Sequence, residues 1–188
     1  MNCNHTSITK KQITKSVGSK IFKTEALVCN DCNALRWDGE IQGKFDKWLT
    51  SLPRDSFTVQ EVKLPTNIVE FIEQKSIEFS GKKNRSAMVR AMISIWCNFV
   101  DRNNELADAV EREYDLKKSI LAQNIYRENV RLSPKFYMQV RAQAELSEMS
   151  MQEFIVACVE RISIAIMNEG EVKFYDIKNR LSDIVAAA

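Results

Sequence analysis

The sequence predicts a mainly α-helical protein with short β-ribbons, because its composition favours helices and a strand-helix-helix pattern occurs in it twice. Five glycines and three prolines in 188 residues leave few turns for a sandwich or barrel of many short strands. The hydrophobic share of 45% is enough for a packed core, so we do not expect a disordered chain. The length suits one compact domain or two to three small modules.

Charge is distributed unevenly along the chain although the total nearly cancels. The 27 lysines and arginines and 25 aspartates and glutamates give a net charge of +2. Residues 1–24 hold five lysines and no acidic residue, whereas the part beyond residue 50 is close to neutral. Any electrostatic attraction to nucleic acid must therefore be local.

Membrane association is not expected. No apolar run approaches the roughly 20 residues that span a bilayer. The N-terminus also lacks the apolar core of a signal peptide. The sequence therefore predicts a cytoplasmic protein.

The first module, predicted over residues 1–45, carries a metal-binding pattern. Cys3-x-His5 and Cys29-x-x-Cys32 supply four ligands in two close pairs, as a closed tetrahedral zinc site requires. A strand over 21–28 and a return strand over 35–37 predict a zinc ribbon with its knuckle at the second pair. We expect one structural Zn2+ per chain, because four protein ligands leave no position for a catalytic water. The alternative is a frayed terminus beside a redox-active Cys-x-x-Cys dithiol.

Between the two ligand pairs lie five lysines, at positions 10, 11, 15, 20 and 23. Two interpretations stay open for them: a loop that faces phosphates, or a loop that is merely solvated. Zinc ribbons bind DNA, RNA and proteins alike, so the ligands alone do not assign a function to this module.

No pattern in the sequence predicts an enzyme. Glycine-rich phosphate loops and nucleophile elbows are missing, and the single histidine, His5, is assigned to the metal site. Cys97 and Cys158 lie in apolar helical runs, where a thiol behaves as a small buried hydrophobe. We therefore predict no catalytic residues.

The repeated pattern is strand, helix, turn, helix, over residues 57–101 and 125–168. Each copy opens with apolar and polar residues in alternation, typical of a half-buried strand; the apolar members are Val62, Leu64, Val130 and Leu132. Pro65 and Pro134 then suit the first turn of a helix. A helical connector is predicted over 102–124 and a C-terminal extension over 170–188.

The second helix of each copy is predicted to lie in the core, because its apolar face is wide. Ser86 and Ser150 stand at N-cap positions of these helices, and Ser133 is placed to cap the helix before the second of them. A lone strand-helix-helix unit cannot bury its apolar face, so the copies must pair. The sequence leaves open whether they pair within one chain or across a homodimer.

The copies resemble the ribbon-helix-helix superfamily, also called the Arc-MetJ superfamily, in which two such units pair their strands into an antiparallel ribbon. The joints Lys63-Leu64-Pro65 and Arg131-Leu132-Ser133-Pro134 carry the resemblance. A tandem arrangement in one chain is similar to the TraY-type accessory proteins of plasmid transfer.

The resemblance implies that the ribbon enters the major groove of double-stranded DNA and reads base edges with its polar face. Arginine suits guanine and asparagine suits adenine, which makes Arg127, Asn129 and Arg131 apt readers in the second copy. The matching positions in the first copy are less apt: Val59, Glu61 and Lys63. The N-termini of the second helices, with Arg85, Ser86 and Ser150, are expected to bind phosphates.

The leading hypothesis is therefore a sequence-specific DNA-binding protein, a phage, plasmid or bacterial transcriptional regulator such as a repressor, located with the nucleoid. One alternative is an accessory factor at a plasmid transfer or replication origin. Another is an adaptor or inhibitor without specific DNA binding, which docks on a protein partner through the zinc ribbon or the C-terminal extension.

Overall fold

The computed structural model describes two compact units. The N-terminal unit comprises residues 1–58 with 133–136, and the helical unit comprises residues 59–132 with 137–188. Within the described residues, no helix is both long and apolar enough to cross a membrane. The described residues are 7–17, 20–36, 38–53, 56–167 and 174–187.

A three-stranded antiparallel sheet and one helix form the N-terminal unit. Strands β1 (Ile8–Val17) and β2 (Lys20–Cys29) make a long hairpin, and β3 (Leu35–Arg36) pairs with the end of β2. Helix α1 (Gly39–Ser51) follows, and the carboxylate of Asp38 caps it by accepting the Ile41 N–H at 2.7 Å.

An aromatic cluster holds α1 on the sheet. The ring centroid of Phe22 lies 5.1 Å from that of Phe45 and 5.4 Å from that of Trp48, distances typical of attractive aromatic pairs. Because α1 runs past residue 45, this unit ends later than the predicted module and has apolar side chains that the shorter module lacks.

Residues 8–17 form a strand, where the sequence suggested a loop. The β-branched residues of this stretch, Ile8, Thr9, Ile13, Thr14 and Val17, favour extended backbone. Pairing with β2 over the full length then satisfies the backbone hydrogen bonds of both strands. The lysines interrupt the apolar alternation by which a strand is normally recognised.

The helical unit contains both copies of the repeat except residues 57–58 and 133–136, which belong to the N-terminal unit. Strand β4 (Thr58–Pro65) leads into α2 (Thr66–Ser80) and α3 (Arg85–Ile95), and strand β5 (Ile125–Leu132) leads into α5 (Pro134–Leu146) and α6 (Met151–Met167). Between the copies lies α4 (Asn104–Lys117), and α7 (Tyr175–Ala186) follows the second copy. The predicted mainly α-helical fold with short antiparallel β-ribbons is confirmed.

β4 and β5 pair with each other within one chain and form a two-stranded ribbon. The Thr66 N–H donates to the carbonyl of Asn124 at 3.0 Å, at the end of the ribbon where β4 stops and β5 begins. Both strands have eight residues, so counting inward from this bond along an antiparallel ladder places Glu61 opposite Asn129. These two are the middle reading positions of the two copies.

The faces of the ribbon alternate as expected for strands that are buried on one side. Val62, Leu64, Val130 and Leu132 have no exposed surface, whereas the intervening residues 61, 63, 129 and 131 are exposed. The core beneath the ribbon consists of apolar side chains from the helices, and its largest fully buried members are Ile68, Ile72, Met88, Met92, Ile93, Ile95, Ile155, Ile162, Ile164 and Ile177.

One further helix follows each copy in the chain, and each of these two helices packs on the other copy. Helix α4 follows the first copy but packs against α6 of the second, and α7 follows the second copy but packs against α2 and α3 of the first. Ile177, Leu181 and Val185 of α7 are buried. The predicted connector and C-terminal extension are therefore both parts of one core.

The helix caps agree with the sequence in one copy and differ in the other. Ser150 and Glu153 form a reciprocal capping box, with bonds of 3.2 and 2.9 Å. The prediction that Ser86 is an N-cap is wrong: Asn84 caps α3 and accepts the Ala87 N–H at 3.0 Å. Ser86 lies in the first turn, where its hydroxyl has other partners.

The turn between α2 and α3 generates a first prediction. Gly81 has a φ of +69°, and its N–H donates to the carbonyl of Ile77 at 2.8 Å. Gly81→Ala should lower the free energy of unfolding by about 1 kcal/mol, because a Cβ disfavours this conformation although it meets no neighbour. Gly43→Ala in α1 is the control and should raise stability by about 0.5 to 1 kcal/mol. Urea unfolding measures both, and shifts of the same sign would contradict the assignment.

The exchanged helix α7 generates a second prediction. Leu181→Ala should cost about 2 to 5 kcal/mol of unfolding free energy, because it opens a cavity in the core. Ile184→Ala, on the same helix at 40% exposure, should cost much less. Denaturation midpoints compare the two variants, and equal small losses would mean that α7 is a dispensable extension.

Candidate nucleic-acid interface and metal site

The ribbon brings all six predicted base readers onto one exposed face. Arg127, Asn129 and Arg131 come from β5, and Val59, Glu61 and Lys63 come from β4. All six are exposed, including the apolar Val59 at 57%. Pairing within the chain is what assembles this face, since the two strands are more than 60 residues apart in sequence.

This reading face is predominantly basic but asymmetric. Counting along the ladder places Lys63 opposite Arg127 and Val59 opposite Arg131. Arg127 also reaches diagonally to the carboxylate of Glu61, at 3.4 Å. Such an exposed pair contributes at most about 1 kcal/mol, so Arg127 can exchange this partner for a base edge at little cost. One strand thus offers two guanidinium groups and an amide, and the other offers one ammonium, one carboxylate and one apolar side chain.

Helix α3 supports the outer edge of β5. The Arg131 N–H donates to the Ser86 hydroxyl at 3.5 Å, and Arg90 donates both to the carbonyl of Arg131, at 3.2 Å, and to the same hydroxyl, at 3.0 Å. These bonds satisfy backbone groups that an edge strand otherwise presents to solvent. They also fix the backbone from which the Arg131 side chain projects.

A second network fixes the beginning of β5. The guanidinium of Arg85 lies 3.0 Å from the carboxylate of Glu128 and 3.4 Å from that of Glu73. It also donates to the Tyr126 hydroxyl at 3.2 Å and stacks over that ring, with 5.0 Å to the centroid. Arg85 therefore holds α2, α3 and β5 together.

The side chains predicted for phosphate binding thus have internal partners. Arg85 faces two carboxylates, the Ser86 hydroxyl accepts from Arg131 and Arg90, and the Ser150 hydroxyl caps its own helix. Phosphate binding at these positions therefore depends on backbone N–H groups in the first turns of α3 and α6. It stays a prediction.

Sequence reasoning missed Arg90 and Tyr126. Tyr126 precedes the first reader and is 40% exposed, and Arg90 lies one helical turn after Ser86. The signal for Arg90 was its spacing of four residues from Ser86, which places both on one helix face. Nothing local predicted that β5 would lie beside that face.

The Cys29–Cys32 segment forms a tight turn at the end of the hairpin. The Cys29 N–H donates to the carbonyl of Ala34 at 3.0 Å, and the Asn33 N–H donates to the carbonyl of Cys29 at 2.9 Å. Asn33 adopts a left-handed conformation with a φ of +57°. Cys29 is buried and Cys32 is exposed. A turn of this kind fits the knuckle of a zinc ribbon.

The hairpin register bears on the other two predicted ligands. The Asn30 N–H donates to the carbonyl of Ser7 at 2.9 Å, so the chain reaches the cysteine turn two residues after His5. Cys3 and His5 themselves lie outside the described residues. Within the described residues, no three His, Cys, Asp or Glu side chains group as a metal site does. The turn at Cys29–Cys32 is consistent with two of the four predicted zinc ligands, and the zinc site stays a prediction.

Two further cysteines belong to the core of the helical unit, as predicted. Cys97 and Cys158 are buried. Burial raises the pKa of the Cys97 thiol to about 11 and raises the pKa of Cys158 well above its ordinary value. Both thiols therefore stay protonated and unreactive near neutral pH.

Comparison with known proteins gives no match for this chain. No protein-family model, no curated protein and no solved structure is similar to it.

The cysteines generate a third prediction. Titration of the reduced protein with Zn2+ at pH 7.5 should give one equivalent bound, and the metal should protect Cys29 and Cys32 from alkylation because metal ligation consumes their thiolates. Cys32→Ser should abolish stoichiometric binding, whereas Cys97→Ala, the control, should retain it. Alkylation of Cys29 and Cys32 at the same rate with and without zinc would contradict the site.

Proposed function

We propose that this chain is a sequence-specific double-stranded DNA-binding protein that reads the major groove with the β4–β5 ribbon. One observation carries the proposal: two distant strands pair within the chain and present the predicted readers on a single exposed face, while their opposite face is buried on a helical core. The major groove, about 12 Å wide, admits a two-stranded ribbon, and alternate side chains of the ribbon then reach base edges.

The geometry of the ribbon supports direct readout. Arg127 and Arg131 provide forked donors for the O6 and N7 atoms of guanine, and Asn129 provides a donor and an acceptor for adenine. The bond that the Arg131 N–H donates to Ser86 and the bond that Arg90 donates to the Arg131 carbonyl pre-organise this strand, so less conformational entropy is lost on binding.

Asymmetry of the reading face predicts an asymmetric DNA site. In a homodimer with identical strands, two-fold symmetry of the protein produces a palindromic site. Here Asn129 lies opposite Glu61 and Arg131 lies opposite Val59, so the two halves present different chemistry. We expect the β5 half to specify guanine and adenine, and the β4 half to specify fewer positions.

Regulation of transcription by occupancy of a promoter is the role that we favour. Binding at a transfer or replication origin uses the same interface, and footprinting on the source DNA distinguishes the two roles. The near-neutral charge of the helical unit and the carboxylate of Glu61 keep the adaptor hypothesis in consideration, because both weaken attraction to DNA.

The fourth prediction tests readout directly. Zinc-loaded protein is incubated with a random duplex library at physiological salt, and bound sites are sequenced for the wild type and for Arg127→Ala/Asn129→Ala/Arg131→Ala. We expect an asymmetric motif that disappears in the triple variant. The single change Arg131→Ala should cost roughly 1 to 3 kcal/mol and relax one position.

A matched control removes the same side-chain types from exposed helix and turn positions: Arg102→Ala/Arg112→Ala/Asn179→Ala. It should recover the wild-type motif. If the folded wild type yields no motif, or if the ribbon variant retains it, the ribbon is not the reader and the adaptor hypothesis gains.

A further inference from the structure

We propose that one face of the β1–β2 hairpin, formed by Lys11, Lys15 and Lys20, is a second DNA contact that binds backbone phosphates without reading sequence. The inference rests on the proposed function, to which it adds a separate electrostatic contact. It concerns the N-terminal unit alone and uses none of the ribbon residues. We call this surface the lysine face.

The hairpin concentrates positive charge. Five lysines and one carboxylate, Glu25, lie between residues 8 and 29. Glu25 is already paired with Lys10, at 2.8 Å. Among the described residues, no carboxylate forms an ion pair with Lys11, Lys15 or Lys20.

The strand register sorts these charges onto two faces. Lys11 lies opposite Ala26, Lys15 opposite Phe22, and Val17 opposite Lys20. Directly opposed residues share a face, and so do residues two apart on one strand. Lys11, Lys15 and Lys20 therefore lie on the Phe22 face, while Lys10, Lys23 and Glu25 lie on the other. Helix α1 packs on this same face over Phe22, and Ala26 is buried there, so the three lysines border the part of the face that α1 covers. Lys11 and Lys20 are exposed and Lys15 is half-buried. Together they place three positive charges on this face, and none of its strand residues is acidic.

The three lysines are spaced along the hairpin. Lys15 and Lys20 occupy diagonal positions across the two strands, about 7 to 8 Å apart. Lys11 lies four residues before Lys15, about 13 to 14 Å away along the strand. An anion with charges spaced along its length can contact all three positions.

Duplex DNA is the polyanion that the rest of the chain favours. The helical unit presents a reading face but is nearly neutral overall, and phosphate neutralisation supplies a large share of the affinity of typical DNA-binding proteins. The lysines that border α1 on the hairpin supply positive charge that the helical unit lacks. The aromatic cluster of Phe22, Phe45 and Trp48 fixes the hairpin on α1, so the charges are held by an ordered scaffold.

The fifth prediction concerns the salt dependence of binding. Zinc-loaded Lys11→Gln/Lys15→Gln/Lys20→Gln is compared with the wild type on its selected site and on a random-sequence duplex, between 50 and 300 mM salt. Each lost phosphate contact reduces the slope of log K against log salt by about 0.9. We expect the slope to fall by about 2 to 3 on both duplexes, while the selected motif stays unchanged.

The matched control removes the same charge from elsewhere in the N-terminal unit: Lys10→Gln/Lys44→Gln/Lys47→Gln. Its slope should change by less than half as much, and thermal melting verifies that both variants are folded. Equal slopes for the two triple variants would overturn the proposal, because the effect would then be one of net charge. A lysine-face variant that binds DNA as the wild type does, but loses binding to anionic phospholipid vesicles, would also overturn it.

Failure of this inference and failure of the proposed function give different results. Loss of the lysines changes the slope of log K against log salt and leaves the recovered DNA motif intact, whereas loss of the ribbon side chains removes the motif. A random-sequence duplex tests the lysine face even if no motif is recovered.

Discussion

Pairing of β4 with β5 inside one chain is the constraint on which the helical unit depends. A two-stranded ribbon is marginal in water by itself, and each strand here has an apolar face that only helices can cover. Because the strands come from different copies of the repeat, their pairing brings α2, α3 and α6 into one core. The third helices complete that core by crossing over: α4 packs on the second copy and α7 on the first. One chain thereby buries the apolar faces of both strand-helix-helix units, whereas a lone unit would have to associate with a second molecule to bury its apolar face.

The same pairing produces the candidate interface. Alternation along a strand means that burial of Val62, Leu64, Val130 and Leu132 forces the intervening polar residues outward. The ribbon therefore cannot form its core without also presenting its reading face. Hydrogen bonds between the Arg131 backbone and the side chains of Ser86 and Arg90, together with the ion pair of Arg85 with Glu128, then connect β5 to α3. The register of β4 and β5 therefore determines both which side chains pack in the core and which predicted base readers are exposed.

Electrostatics divides the chain into two parts with different proposed tasks. The helical unit is nearly neutral, and several of its cations are paired: Arg85 with Glu73 and Glu128, Arg161 with Glu111, and Lys117 with Glu113. Tyr114 donates to Glu160 at 2.9 Å in the same helical core, and burial raises the pKa of that tyrosine to about 12. The β1–β2 hairpin, by contrast, carries five lysines and one carboxylate, Glu25. Specificity from the ribbon and affinity from the hairpin are consistent with this division.

Local patterns in the sequence determined the mainly helical class, both strand-helix-helix copies, the alternating faces of β4 and β5, the N-cap at Ser150, and the buried state of Cys97 and Cys158. Each depends on residues close in sequence, through periodicity, caps or hydrophobic runs. Tertiary structure alone decided that the strands pair within the chain, that α4 and α7 exchange between copies, that Arg85 faces carboxylates, and that residues 8–17 form a strand. These outcomes depend on contacts between residues far apart in sequence, for which a single sequence carries no local signal.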